Sequence, residues 1–91
     1  MLEYRPLTLA EVPAMLPIEQ AAHRFPWSES LLQESFGERY CTVGGWRDGQ
    51  LVGFYIADQL LDESTLHNIC VDPRHQGEGI GRLLLAHYLQ A

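Results

Sequence analysis

The residues most suited to chemistry lie in the segment Val71-Asp72-Pro73-Arg74-His75-Gln76-Gly77-Glu78-Gly79-Ile80-Gly81-Arg82. A β-type apolar run from Leu66 to Val71 feeds a glycine-rich turn, and the turn feeds a leucine-rich segment with helical spacing. That order aims backbone N–H groups, at the positive end of a helix, toward an anion. The alternating Gly77, Gly79 and Gly81 remove the Cβ atoms that would hold a phosphate away from those N–H groups. The expected ligand therefore carries phosphate. The chain has no Lys, which excludes a Walker A loop. Arg82 stands where a dinucleotide fingerprint needs its third Gly, so ATP and NAD are poor fits.

The elements that must position this turn read as β-α-α-β-β-β-α. Leu2 to Leu7 alternates as a first strand, with Pro6 near its end. Thr8 and Glu11 form a capping box, and a helix follows to about His23 with Val12, Met15, Leu16, Ile18 and Ala22 as its apolar stripe. Pro17 predicts a kink or break in that helix. Arg24 to Trp27 is a loop, Ser28 an N-cap, and Trp27 with Leu32 a hydrophobic staple for a second helix ended at Gly37. Tyr40 to Trp46 and Gln50 to Leu60 are strands joined by an Arg47-Asp48-Gly49 turn. Thr65 to Val71 is the next strand, and a last helix begins after Gly79.

With 91 residues the chain is one small domain. Its net charge of −6 argues against nucleic acid and is compatible with a basic protein partner. No apolar run is long enough to span a membrane, and no secretion leader is visible. Cys41 and Cys70 are too few and too isolated for a disulfide framework or a zinc site, and no metal is expected. Both are read as buried thiols in strands, which fits a reducing cytoplasm.

Gln76-x-x-Gly79-x-Gly81, with Val71-Asp72-Pro73 before it and Arg82-Leu83-Leu84-Leu85 after it, resembles the pyrophosphate motif of the GCN5-related N-acetyltransferases. Ala22-His23-Arg24-Phe25-Pro26-Trp27-Ser28, Gly37-Glu38-Arg39-Tyr40 and Leu61-Asp62-Glu63-Ser64-Thr65-Leu66-His67-Asn68-Ile69 are similar to the bacterial ribosomal-protein alanine N-acetyltransferases, the RimI type. The resemblance implies the N-terminal part of the acyl-CoA N-acyltransferase fold, an α/β (α+β) arrangement with a mainly antiparallel sheet. In that family more strands and a helix follow, so the chain reads as a single truncated domain whose strand Thr65 to Val71 has one side unpartnered. The unpartnered side is a hazard and a route to self-association.

The resemblance also implies acetyl-CoA as cosubstrate, with no metal. It places the pantetheine arm along Ile69, Cys70 and Val71, and the pyrophosphate on Gln76, Gly77, Glu78, Gly79, Ile80, Gly81 and Arg82. Arg74 and Arg82 are candidate charge partners, and Glu78 is expected to face solvent. Phe25 and Trp27 are candidate acceptor-binding residues, on a lip that equally serves to fix the second helix. The family's general base and acid lie beyond residue 91, so no catalytic residue is named. His67 reads as a packed or surface residue rather than a base, His75 as an ordinary turn residue with some claim on a phosphate, and His23 and His87 as ordinary helix residues. Asp62 and Glu63 read as solvated. The implied acceptor is a protein N-terminus, an alanine of a basic ribosomal protein. The alternative is a non-catalytic CoA-binding or strand-pairing module.

Overall fold

The computed structural model describes residues 2–60 and 62–90. The order is β1 (Glu3–Pro6), α1 (Val12–Ala22), α2 (Glu29–Glu34), β2 (Tyr40–Arg47), β3 (Gln50–Leu60), β4 (Glu63–Val71) and α3 (Ile80–Gln90), with short 3-10 turns at Leu9–Glu11 and Pro73–His75. The four strands form one antiparallel sheet in the order β1-β2-β3-β4. The expected element order is the one observed. Leu61, the first residue of the resembling Leu61–Ile69 block, lies outside the described residues.

Alternation along the strands gives the sheet two apolar faces. On one face Leu7, Leu51, Phe54, Ile56 and Cys70 meet Val12, Met15 and Ile18 of α1 and Leu32 of α2. On the other face Leu2, Val43, Val52 and Tyr55 meet Ile80 and Leu84 of α3. Tyr55 is fully buried there, and its hydroxyl lies 2.8 Å from His87 Nδ1. Burial first, then the neighbouring Cys41, Tyr4 and Tyr88, push its phenol up to about 12.

Local signals set most of the boundaries. The Glu11 carboxylate accepts from the Thr8 N–H at 2.8 Å, but it caps the 3-10 turn rather than α1 itself. Helix α1 runs unbroken through Pro17. Pro17 forfeits one N–H bond, and burial of Met15, Ile18 and Glu19 on either side of it holds the helix against the sheet. Ser28 caps α2 by accepting from Leu31 N–H at 3.2 Å, while Trp27 packs against the cluster that buries Leu32. Helix α2 stops at Glu34, short of Gly37. Asp48 and Gly49 both have positive φ, 53° and 78°, the signature of a two-residue hairpin turn matched to strand twist.

The thiols separate. Cys70 is buried, but Cys41 is exposed, against the expectation for both. Cys41 lies on the α3 face toward its rim, where it lines a hollow with Ser64, Tyr88 and Leu89.

Close approach of α3 to the sheet depends on a missing side chain. A Cβ on Gly53 would sit 2.8 Å from the Cys70 carbonyl oxygen and 3.0 Å from Leu84 Cδ1. The carbonyl belongs to a paired strand and cannot move aside. Gly53→Ala is therefore expected to destabilise the fold by about 1–3 kcal/mol, read as a lowered urea midpoint. An unchanged midpoint would show that α3 does not pack this closely.

Candidate functional site

The glycine turn is held from both ends. At its start the Asp72 N–H donates to the Val52 carbonyl at 2.8 Å, and the Asp72 carboxylate accepts from the Arg74 N–H at 3.0 Å. At its end the chain enters α3 through Gly77 (φ 86°) and Gly79 (φ 79°), with open space where their Cβ atoms would be. A side chain at either position would be strained and would project into that space. The first turn of α3 leaves the N–H groups of Ile80, Gly81 and Arg82 without acceptors inside the helix. The Leu83 N–H is the one that closes back on the Gly79 carbonyl, at 3.1 Å. Free donors, the helix dipole and absent Cβ atoms thus converge on one spot, an arrangement suited to phosphate oxygens.

This spot is one end of an open groove of about 1030 Å³. Its floor is the outer edge of β4, with Leu66, Ile69, Cys70 and Val71. One wall is the turn and the start of α3, with His75, Gln76, Gly77, Gly79, Ile80, Gly81, Arg82 and Leu85. Ala22 and His23, at the end of α1, form the other. Nine of the ten residues expected at a CoA site therefore line one groove; Glu78 does not. Its carboxylate turns to Arg47 in the β2–β3 hairpin, and His75 Nδ1 lies 3.3 Å away.

One placement differs from expectation: Arg74 is not in the groove. Its guanidinium is held on Asp72, Nη2 to Oδ2 at 2.7 Å, beside a separate hollow lined by Ala14, Pro17 and Gln50. Arg82 is thus the guanidinium that remains in the groove wall. Phe25 and Trp27 also lie outside the groove walls: Phe25 is 84% exposed with the Arg24 guanidinium over its ring, and Trp27 is half-buried.

Sequence reading missed a polar knot behind the groove. Glu19 has no exposed surface. Its carboxylate accepts from the Asn68 amide at 2.6 Å and from the Trp27 N–H at 3.0 Å. His23, one turn further along the helix, places Nε2 3.0 Å from Asn68 Oδ1 and 3.8 Å from Glu19 Oε2. Burial, and then the adjacent Glu19 carboxylate, drive the Cys70 thiol far above its ordinary range. Glu19 and His23 four apart on a helix were the only available signal, and it reads equally as a solvated ion pair.

Strand β4 is bulged at this level. Asn68 pairs with Ile56 and Leu66 with Ala57, so His67 is an extra residue without a partner on β3. His67 Nε2 sits 2.8 Å from Asp58 Oδ2, which also accepts from Arg39 at 3.2 Å. The hydrogen bond from His67, with Arg39 adding to it, holds the Asp58 carboxyl below its ordinary value. Asp62 and Glu63 are exposed, as expected.

The site thus consists of a four-stranded antiparallel sheet with a bulged edge strand and a glycine turn that opens a helix beside that strand. The sequence pattern of the acetyltransferase (GNAT) family matches residues 12–91, and the chain belongs to that family. Among its relatives is the [ribosomal protein bS18]-alanine N-acetyltransferase of Escherichia coli K12, 45% identical over 83 residues. That match covers 91% of this chain and 56% of the relative. The corresponding protein of Haemophilus influenzae is 47% identical over 68 residues, covering 75% of this chain and 47% of its own length. The chain thus spans about half the length of the curated relatives it matches.

The crystal structure of the ribosomal-protein-S18-alanine N-acetyltransferase from Escherichia coli superposes with a TM-score of 0.95 at 42% identity, over 99% of this chain and 58% of that one. An N-acetyltransferase from Thermoplasma acidophilum in complex with coenzyme A shares the fold, with a TM-score of 0.81 at 14% identity, over 99% of this chain and 70% of its own.

The Asp72 brace makes a pH prediction. The hydrogen bond from the Arg74 side chain, aided by the Arg74 N–H and the nearby positive charges, keeps the Asp72 carboxyl below its ordinary value despite burial. A carboxyl depressed in the folded state stabilises it above the unfolded value, and that contribution is lost as pH falls through the folded value. Asp72→Asn keeps a capping side chain but removes the charge. Its urea midpoint is expected to fall below that of the parent at neutral pH, and the gap to close below about pH 4. A gap that persists unchanged into acid would mean the charge is not what braces the turn.

Proposed function

We propose that this chain carries the acetyl-CoA-binding part of an N-α-acetyltransferase whose acceptor is the N-terminal alanine of a ribosomal protein. The observation that carries this reading is the 45% identity with the bS18-alanine N-acetyltransferase across 91% of the chain. It is supported by the groove, whose length along β4 and glycine-lined end suit a pantetheine arm ending in a pyrophosphate. Acetyl-CoA, when bound, supplies the activated acetyl group.

The chain's own residues bind and orient. On this reading the exposed backbone edge of Ile69, Cys70 and Val71 aligns the pantetheine. The N–H groups from Gly77 to Arg82, with the Gln76 side chain and the Arg82 guanidinium, hold the pyrophosphate. Glu78 serves the turn through Arg47 rather than touching the anion. Phe25 and Trp27 form the lip that receives the acceptor N-terminus, and the chain's net charge of −6 favours a basic acceptor. On this reading the reaction belongs to the cytoplasm, where a ribosomal acceptor and acetyl-CoA meet. No residue here is assigned as general base or acid, so these 91 residues alone are expected to bind acetyl-CoA without turning it over. Multiple turnover by the isolated chain would overturn that division of labour.

Strand β4 pairs on one side only among the described residues, which favours a second reading, a strand-pairing module. Calorimetric titration with acetyl-CoA separates the two. The parent chain is expected to bind, and a Gly79→Trp, Gly81→Trp double variant with an unchanged far-ultraviolet dichroism spectrum is expected not to. Equal binding by both would remove the glycine turn from the site. A folded parent chain that binds no acetyl-CoA would favour the strand-pairing module.

A further inference from the structure

The buried knot behind the groove has the composition of a metal site. Glu19, His23 and Cys70 each present a ligand atom, and the three atoms lie within 4.8 Å of one another. Cys70 Sγ lies 3.8 Å from one Glu19 oxygen and His23 Nε2 lies 3.8 Å from the other. Metal–ligand bonds of 2.0–2.3 Å in a tetrahedral shell put ligand atoms about 3.3–3.8 Å apart. With one atom taken from each residue, all spacings fall within 4.8 Å, so side-chain rotation has to close the set by about 1 Å at most.

Charge points the same way. Glu19 is completely buried, and among the described residues the only basic side chain within ion-pair distance is His23, at 3.8 Å. A buried carboxylate with so little compensation is costly. A divalent cation bound by one carboxylate, one thiolate and one neutral imidazole leaves no net charge in the pocket. The supporting contacts are also present. The Asn68 amide and the Trp27 N–H donate to the Glu19 oxygens and leave lone pairs free, as partners behind metal-ligating carboxylates do. Glu19 lies on α1, His23 is the extended residue that caps the helix end with its N–H on the Glu19 carbonyl, and Cys70 lies on a paired strand, so all three are anchored by backbone hydrogen bonds. His23 and Cys70 also line the groove, which gives an ion an entry path and leaves its fourth position open to water.

We propose that Glu19, His23 and Cys70 form a binding site for a thiophilic divalent cation of the zinc class. The site borders the same groove, and its formation does not require the groove to hold CoA. His23 leaves Asn68 Oδ1 to face the ion, and Cys70 binds as the thiolate, its proton passing to buffer as the metal enters.

Cobalt(II) titration of the metal-stripped chain, followed by absorption spectroscopy, tests the site. The expected spectrum has intense visible bands of four-coordinate cobalt and a near-ultraviolet thiolate-to-cobalt band. Cys70→Ser abolishes the near-ultraviolet band, and His23→Ala weakens binding by at least about tenfold, the loss typical of even a supporting partner. Cys41→Ser, which removes the exposed thiol, leaves the spectrum unchanged. Zinc displaces cobalt and erases the bands. Weak bands of six-coordinate cobalt in the parent chain, or a thiolate band that survives Cys70→Ser and disappears with Cys41→Ser, would overturn the proposal. Unchanged far-ultraviolet dichroism in each variant keeps loss of folding apart from loss of a ligand.

Discussion

The buried carboxylate of Glu19 is the constraint around which the groove is arranged. A carboxylate with no exposed atom must find donors inside the protein or cost several kcal/mol. Glu19 finds them on two pieces of chain far from each other in sequence: the Trp27 N–H in the loop after α1, and the Asn68 amide on β4. Meeting that requirement fixes where α1 ends against the sheet. It also fixes the direction in which the Arg24–Trp27 loop leaves, and the level at which β4 carries its bulge. His23 completes the knot through Asn68. Hydrophobic burial alone would let α1 slide along the sheet, because Val12, Met15 and Ile18 are a general apolar stripe. The directional bonds to Glu19 choose one register.

The opposite face solves a different problem. Helix α3 must lie close enough to β4 for its first N–H groups to face the groove. Gly45 and Gly53 supply the room: a Cβ on either would press on Leu84, at 3.2 and 3.0 Å. The two faces of the sheet therefore position the two walls of one groove. The α1 side does so through a polar knot, and the α3 side through the absence of side chains.

What was legible in the sequence follows from which interactions are local. The Asp48-Gly49 hairpin, the Ser28 cap and the glycine turn are each specified within a few residues, and each stands where the pattern puts it. The strand-turn-helix order gave the groove nearly whole, because strand floor and helix start are joined by a single short turn. Long-range polar pairing was not legible. Glu19 meets Asn68 across 49 positions and Cys70 across 51, and nothing in its helix distinguishes it from a solvated Glu. Arg74 misled for the opposite reason. Its partner Asp72 is two residues away, so it is spent on bracing the turn before any ligand arrives. Cys41 misled because strand alternation tells which face a residue joins, not whether a helix covers that end of the face.

For the proposed phosphate site, an acidic chain must silence the carboxylates nearby, and the turn shows how. Asp72 precedes the glycines, Glu78 lies between two of them, and each would repel a phosphate. Asp72 is neutralised by Arg74, and Glu78 by Arg47 from the hairpin with His75 beside it. The arginines an anion might have recruited are thus consumed by the protein's own acids. What remains for the anion is a row of backbone donors at a helix end, with Arg82. Backbone donors are fixed by the fold and ask little reorganisation when the ligand arrives. They also account for the glycines: a site that relies on the main chain needs close approach more than it needs charge.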